Sequence, residues 1–149
     1  MNSMKRGIYI CLLCITICAG CKGGKSKMEP GVILKKDDPT FLALKDTAQK
    51  HMSQFIEALA KKTEGFRFVI KSDFKEGDTH EHMWSQILEY KSNRFNGTFI
   101  DSAIDVKNIH MGDSVSVNVK DVEDWAIYDD KDERVAGAFS NKYLESKRR

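Results

Sequence analysis

The chain has 149 residues, of which 41% are apolar and 31% charged, with a formal net charge of +2. That length suits one domain, and the composition is that of an ordinary globular protein, not of a disordered or fibrous one. Beyond Gly20 the positive and negative side chains are equal in number, so the body of the protein has no bulk positive field and nucleic acid is not an expected partner.

The N-terminus differs from the rest. Lys5 and Arg6 are its only charges, and Ile8 to Ala19 is an uncharged run. A positive n-region followed by an apolar h-region of about a dozen residues is the pattern of a signal peptide; a membrane-crossing helix needs roughly 20 apolar residues. All four cysteines, Cys11, Cys14, Cys18 and Cys21, lie in this segment. By count they suggest disulfides or a metal cluster. By position three of them are small hydrophobes of the h-region.

The fourth closes Cys18-Ala19-Gly20-Cys21, which resembles a lipobox, the cleavage site of bacterial lipoprotein signal peptides. Ala19 and Gly20 fit the small residues required before the cysteine, while Cys18 stands where an aliphatic side chain is usual. The expected boundaries are a lipoprotein signal peptide over 1–20, a lipid-anchored flexible tether over 21–37 and one domain over 38–149. Lipid on Cys21 is expected to hold the protein at a membrane of the bacterial cell envelope. Where there are two membranes, the expected place is the outer one, facing the periplasm. An acylated Cys21 leaves the exported part without a free thiol, so no disulfide, cysteine nucleophile or thiolate metal site is expected in it.

Asp38-Pro39 predicts a helix start, because the carboxylate caps free backbone N–H groups and proline is tolerated at the first helical position. Phe41, Leu44, Ala48, Met52, Phe55, Ile56 and Leu59 recur mostly at spacings of three and four. These side chains share one stripe at 3.6 residues per turn, and Gly65 is expected to close the helix. The period then shortens to two: Phe66, Phe68 and Ile70 alternate with Arg67, Val69 and Lys71, which predicts a strand. A turn at Gly77-Asp78 leads to a second strand over about Glu81 to Tyr90. Ser92-Asn93 turn the chain into a third over Phe95 to Asp101, which contains Gly97, a residue that in strands marks a bulge or a close backbone approach. Val115, Val117 and Val119 predict a fourth after Gly112-Asp113, Trp125 to Tyr128 a fifth, and Val135 to Phe139 a short last piece. The expected fold is α+β, with one N-terminal amphipathic helix packed on a curved, mostly antiparallel sheet of about five strands.

The most unusual local feature is His80-Glu81-His82-Met83-Trp84. On a strand, His80 and His82 share a face, and two imidazoles there could hold a metal if His110 or a carboxylate such as Asp78 joined them. No helical His-Glu-x-x-His is present, and the plainer reading makes His82 a hydrogen-bonded histidine and Trp84 a core residue. For acid–base chemistry Glu81 and His82 are poorly placed, since adjacent strand residues point to opposite faces; Asp124 is the alternative partner of His82. No Gly-x-Ser-x-Gly turn exposes a serine nucleophile. Neither a catalytic residue, a metal nor a cofactor is therefore assigned.

Several short motifs together resemble the YegJ-like bacterial family, domain of unknown function 2314. Glu81, His82 and Trp84 match its Glu-His-x-Trp; Phe95 and Gly97 match Phe-x-Gly; Gly112, Asp113 and Val115 match Gly-Asp-x-Val. Asp124 and Trp125 match Asp-Trp, and Gly137, Phe139 and Ser140 approximate a closing glycine-aromatic-small motif. The likeness runs from about Asp38 to Leu144. Asp101-Ser102-Ala103 departs from the Asn-x-Pro that members often carry. The resemblance implies a fold but brings no activity with it; the motif residues Glu81, His82, Trp84, Gly97, Asp113, Asp124 and Trp125 form its candidate site.

Three functions are compatible with this reading. A non-catalytic binding or structural module would meet another envelope protein or a small ligand. An envelope enzyme or metal-dependent protein would use Glu81, His82 and Asp124. An immunity-type protein would neutralise a toxin.

Overall fold

A computed structural model describes residues 38–61 and 64–147. The expected signal peptide, Cys21 and the tether lie outside the described residues. The fold is α+β, with three helices and a six-stranded antiparallel sheet.

Helix α1 (Pro39–Lys50) begins as its sequence dictates: Asp38 accepts the Phe41 N–H at 2.9 Å, and Pro39 occupies the first turn. The expected single helix is in fact two. His51, at φ −99° and ψ 10°, ends α1, and α2 (Met52–Lys61) follows at once. The apolar stripe survives the break because Ala48, Met52, Phe55 and Leu59 all enter the same core cluster.

The strands are β1 (Arg67–Glu76), β2 (Thr79–Lys91), β3 (Arg94–Phe99), β4 (Ser114–Asn118), β5 (Val122–Tyr128) and β6 (Arg134–Gly137), and α3 (Asn141–Lys147) ends the chain. Their order across the sheet is β4-β3-β2-β1-β5-β6. There are six strands where about five were expected, since the short piece around Val135 pairs with β5 as an edge, with Val135 itself bulged between Arg134 and Ala136. Val119, expected in the fourth strand, belongs instead to a 3-10 turn over Val119–Asp121.

Hairpin turns set most of this order. Ser92 and Asn93 both adopt positive φ, 50° and 62°, the twist that joins two antiparallel strands through two residues. β1 lies inside the sheet, between β2 and β5, and Phe68 to Ser72 are buried on both faces. On the helix-covered face Phe55 meets the rings of Phe68, Phe95 and Trp125 at 5.8, 5.4 and 5.5 Å. Fully burying one such aromatic contributes about 1.5–3 kcal/mol. A smaller cluster of Val69, Ala126 and Ala138, with Trp84 packed against it, forms separately.

Candidate functional site

The family-motif residues sit on β2 (Glu81, His82, Trp84), β3 (Gly97), β5 (Asp124, Trp125) and the loop before β4 (Asp113). The carboxylate of Glu81 accepts four hydrogen bonds from consecutive backbone N–H groups. Ile104 donates to both oxygens, at 2.9 and 3.0 Å, and Asp105 and Val106 donate to one, at 2.9 and 3.1 Å. Burial pushes the Glu81 carboxyl up, but these three amides outweigh it and hold the group below its ordinary range. Glu76 adds a second tie, accepting from the Lys107 N–H at 2.7 Å and from the Asn108 side-chain amide. Both carboxylates thus hold the segment between β3 and β4 to the end of the β1–β2 hairpin. Asp113 closes that segment by accepting the His110 N–H at 2.8 Å.

Asp124 does similar work at the other end of the chain. It is fully buried and accepts the N–H groups of Trp125, Phe139 and Ser140 at 2.8, 3.2 and 2.8 Å and the Ser140 hydroxyl at 2.6 Å. These donors satisfy a buried charge that would otherwise be strongly disfavoured. Trp125 fills the core, and its indole N–H donates to the Ala48 carbonyl at 2.9 Å.

His82 does not meet Asp124. Its Nδ1 lies 2.5 Å from Oε2 of Glu123, one residue earlier. The reason is a bulge: the β1–β5 register runs from Lys71↔Asp124 to Ser72↔Val122, which leaves Glu123 as the extra residue. Glu123 is only 5% exposed, and its other oxygen lies 3.6 Å from Lys45 Nζ. The Phe41 ring stands edge-on to His82 at 5.9 Å. His82 itself keeps 43% of its side chain exposed, so one edge of the ring is held and the other meets solvent. His80, two residues earlier, repeats the arrangement with Asp73, at 2.8 Å from Nδ1. Trp84 lies under the Lys71 ammonium, 5.9 Å from the ring centre.

Glu81, His82 and Asp124 therefore form three separate arrangements. Glu123, Lys45, Glu76 and Asp73 were missed in the sequence. Only the position of Glu123 beside Asp124 hinted at its role, and nothing local distinguishes the two carboxylates. The shallow cavities lie away from Glu81, His82 and Asp124, one over β2, β3 and β4 around Leu88 and the motif residue Gly97, one between α2 and β6 around Ala58 and Phe66. Among the described residues no three His, Cys, Asp or Glu side chains converge as a metal site, and no helix is long and apolar enough to cross a membrane.

A family of uncharacterised proteins conserved in bacteria, DUF2314, matches residues 33–148, a span that takes in every described residue. The chain belongs to this family. Comparison with curated proteins and with solved structures gave no match. In this DUF2314 domain the remaining motif residues are fixed by backbone packing. A Cβ on Gly97 would fall 1.8 Å from the Gln86 carbonyl oxygen, and one on Gly137, at φ 75°, would fall 2.1 Å from that of Trp125. Only glycine lets the strands approach so closely.

Proposed function

We propose that this DUF2314 protein is a non-catalytic binding or structural module of the bacterial cell envelope, related to the YegJ-like proteins and anchored by lipid on Cys21. The anchor is supported by the leader pattern ending at Ala19-Gly20-Cys21. One observation carries the non-catalytic reading. The acidic motif residues Glu81 and Asp124 are saturated by backbone donors that order two loops. A carboxylate so engaged would release its loop whenever it took up a proton, which suits a scaffold better than a proton carrier. The partner class is another envelope protein.

Feeding cells a clickable fatty acid tests the anchor: label is expected on the wild type and absent from Cys21→Ser. Label surviving that substitution rejects the anchor. Crosslinking in intact cells followed by affinity purification tests the module. A reproducible envelope protein is expected, and its absence from replicate preparations counts against this reading.

The half-exposed His82, braced by the buried Glu123, favours a second reading, an envelope enzyme or metal-dependent protein centred on that pair. A purified protein that turned over a substrate, with the turnover lost in His82→Asn, would establish it in place of the first.

A further inference from the structure

The geometry points to a transition-metal site on β2, formed by the Nε2 atoms of His80 and His82. Both histidines lie on one strand two residues apart, so their side chains leave the same face, with Cα atoms roughly 6.6 Å apart at a rise of about 3.3 Å per residue. The register puts Asp73 directly opposite His82, and the Asp73 carboxylate reaches diagonally to His80, so that one residue of β1 neighbours both histidines.

Each imidazole has its Nδ1 held by a carboxylate, His80 by Asp73 at 2.8 Å and His82 by Glu123 at 2.5 Å. An Nδ1–H given to a carboxylate fixes the tautomer whose lone pair is on Nε2 and makes that nitrogen a better donor. Neither Nε2 has a hydrogen-bond partner among the described residues, and the two side chains are 42% and 43% exposed. Two braced imidazoles side by side suit zinc, copper or nickel rather than calcium or magnesium.

The charges around the pair act in both directions. Asp73 and Glu123 favour a cation. Lys75, opposite His80, and Lys45, beside Glu123, oppose one. The rings must lean together to bring the Nε2 atoms to the roughly 3.3 Å that a tetrahedral ion with Zn–N bonds of about 2.0–2.1 Å requires. The other coordination positions stay open to water or to a donor brought by a second molecule. The site does not depend on the protein being a non-catalytic module.

Zinc titration of the full-length protein with Cys11, Cys14, Cys18 and Cys21 replaced by serine, so that no thiolate competes for the ion, tests the site when followed by the imidazole ¹⁵N resonances. His51 and His110 serve as internal references. The expected result is that the Nε2 signals of His80 and His82 move together and saturate at one ion per chain, while the references stay still. His80→Asn should weaken binding by about tenfold or more. Asp73→Asn, an exposed change that leaves both rings in place, should weaken it by about 10–100-fold, as loss of a carboxylate behind a ligating histidine does. The site is rejected if the four histidines respond alike, or if replacing His80 or Asp73 leaves the His82 response unchanged.

Discussion

His82 and Glu123 join two strands that do not touch: β2 and β5 flank β1, yet the ring nitrogen of one lies 2.5 Å from the carboxylate of the other. The contact passes over the intervening strand at the bulge, and Lys45 from α1 completes it. Removing His82 leaves a nearly buried carboxylate with a single distant cation. His82→Ala and Glu123→Ala should each lower stability by about 1–3 kcal/mol. Because they break the same link, the double variant should fall short of their sum by about 0.5–3 kcal/mol. Urea denaturation of the four proteins measures this, and strictly additive losses would mean that the two side chains act independently.

Among the described glycines, Gly97 leaves the least room for a Cβ. An added methyl would lie 1.8 Å from the Gln86 carbonyl oxygen and press against a neighbouring backbone, which cannot swing aside like a flexible side chain. Gly97→Ala should destabilise the protein by about 3 kcal/mol or more, the upper end of overpacking costs. The midpoint of thermal or urea unfolding reads it directly.

Asp124 secures the turn after β6. Its replacement by alanine strips the N–H groups of Phe139 and Ser140 and the Ser140 hydroxyl of their acceptor. Loss of several charge-assisted bonds at a buried site should cost about 3 kcal/mol or more. The ring of Phe139, packed at 5.4 Å from that of Trp125, should loosen too. Near-ultraviolet circular dichroism and Trp125 fluorescence would report that loosening below the melting temperature.

Glu81 makes the segment over 104–106 sensitive to acid. Its folded pKa is held below its ordinary value by the Ile104, Asp105 and Val106 amides, against the opposing effect of burial. A depressed carboxylate adds stability that is present above the unfolded value of about 4.3 and is lost as pH falls through the folded value. The amides of Ile104, Asp105 and Val106 should therefore lose protection as the pH falls beneath the ordinary glutamate range and through the depressed folded value. In Glu81→Gln they should exchange about tenfold faster or more at neutral pH, with the acid step removed. Hydrogen exchange followed by NMR separates this segment from the β1–β5 core, whose amides should be unaffected.

Where structure depends on neighbours in the chain, the sequence is a good guide. The Asp38-Pro39 start and the Ser92-Asn93 hairpin are of this kind, because a cap and a two-residue turn are local chemistry. The break at His51 was not foreseen, since the apolar spacing runs through it unchanged. Nor was α3, whose Asn141–Lys147 is short and mostly polar. The partners of His82 and Glu81 were hidden for another reason. Those contacts span 41 and 23 to 25 residues, and the first depends on a bulge that shifts the β5 register. A motif shows that Asp124 matters to the fold; it does not show that Glu123 faces the histidine.

Asp38 uses its two oxygens for different elements. One caps α1 through the Phe41 N–H, and the other accepts the Tyr143 hydroxyl of α3 at 2.6 Å. The chain therefore enters and leaves the described domain at nearly the same place. A pull applied between the two ends would load this junction before any strand pair, and it would part without unzipping the sheet. Dyes placed on either side of it would report a short distance for as long as the first and last helices stay docked.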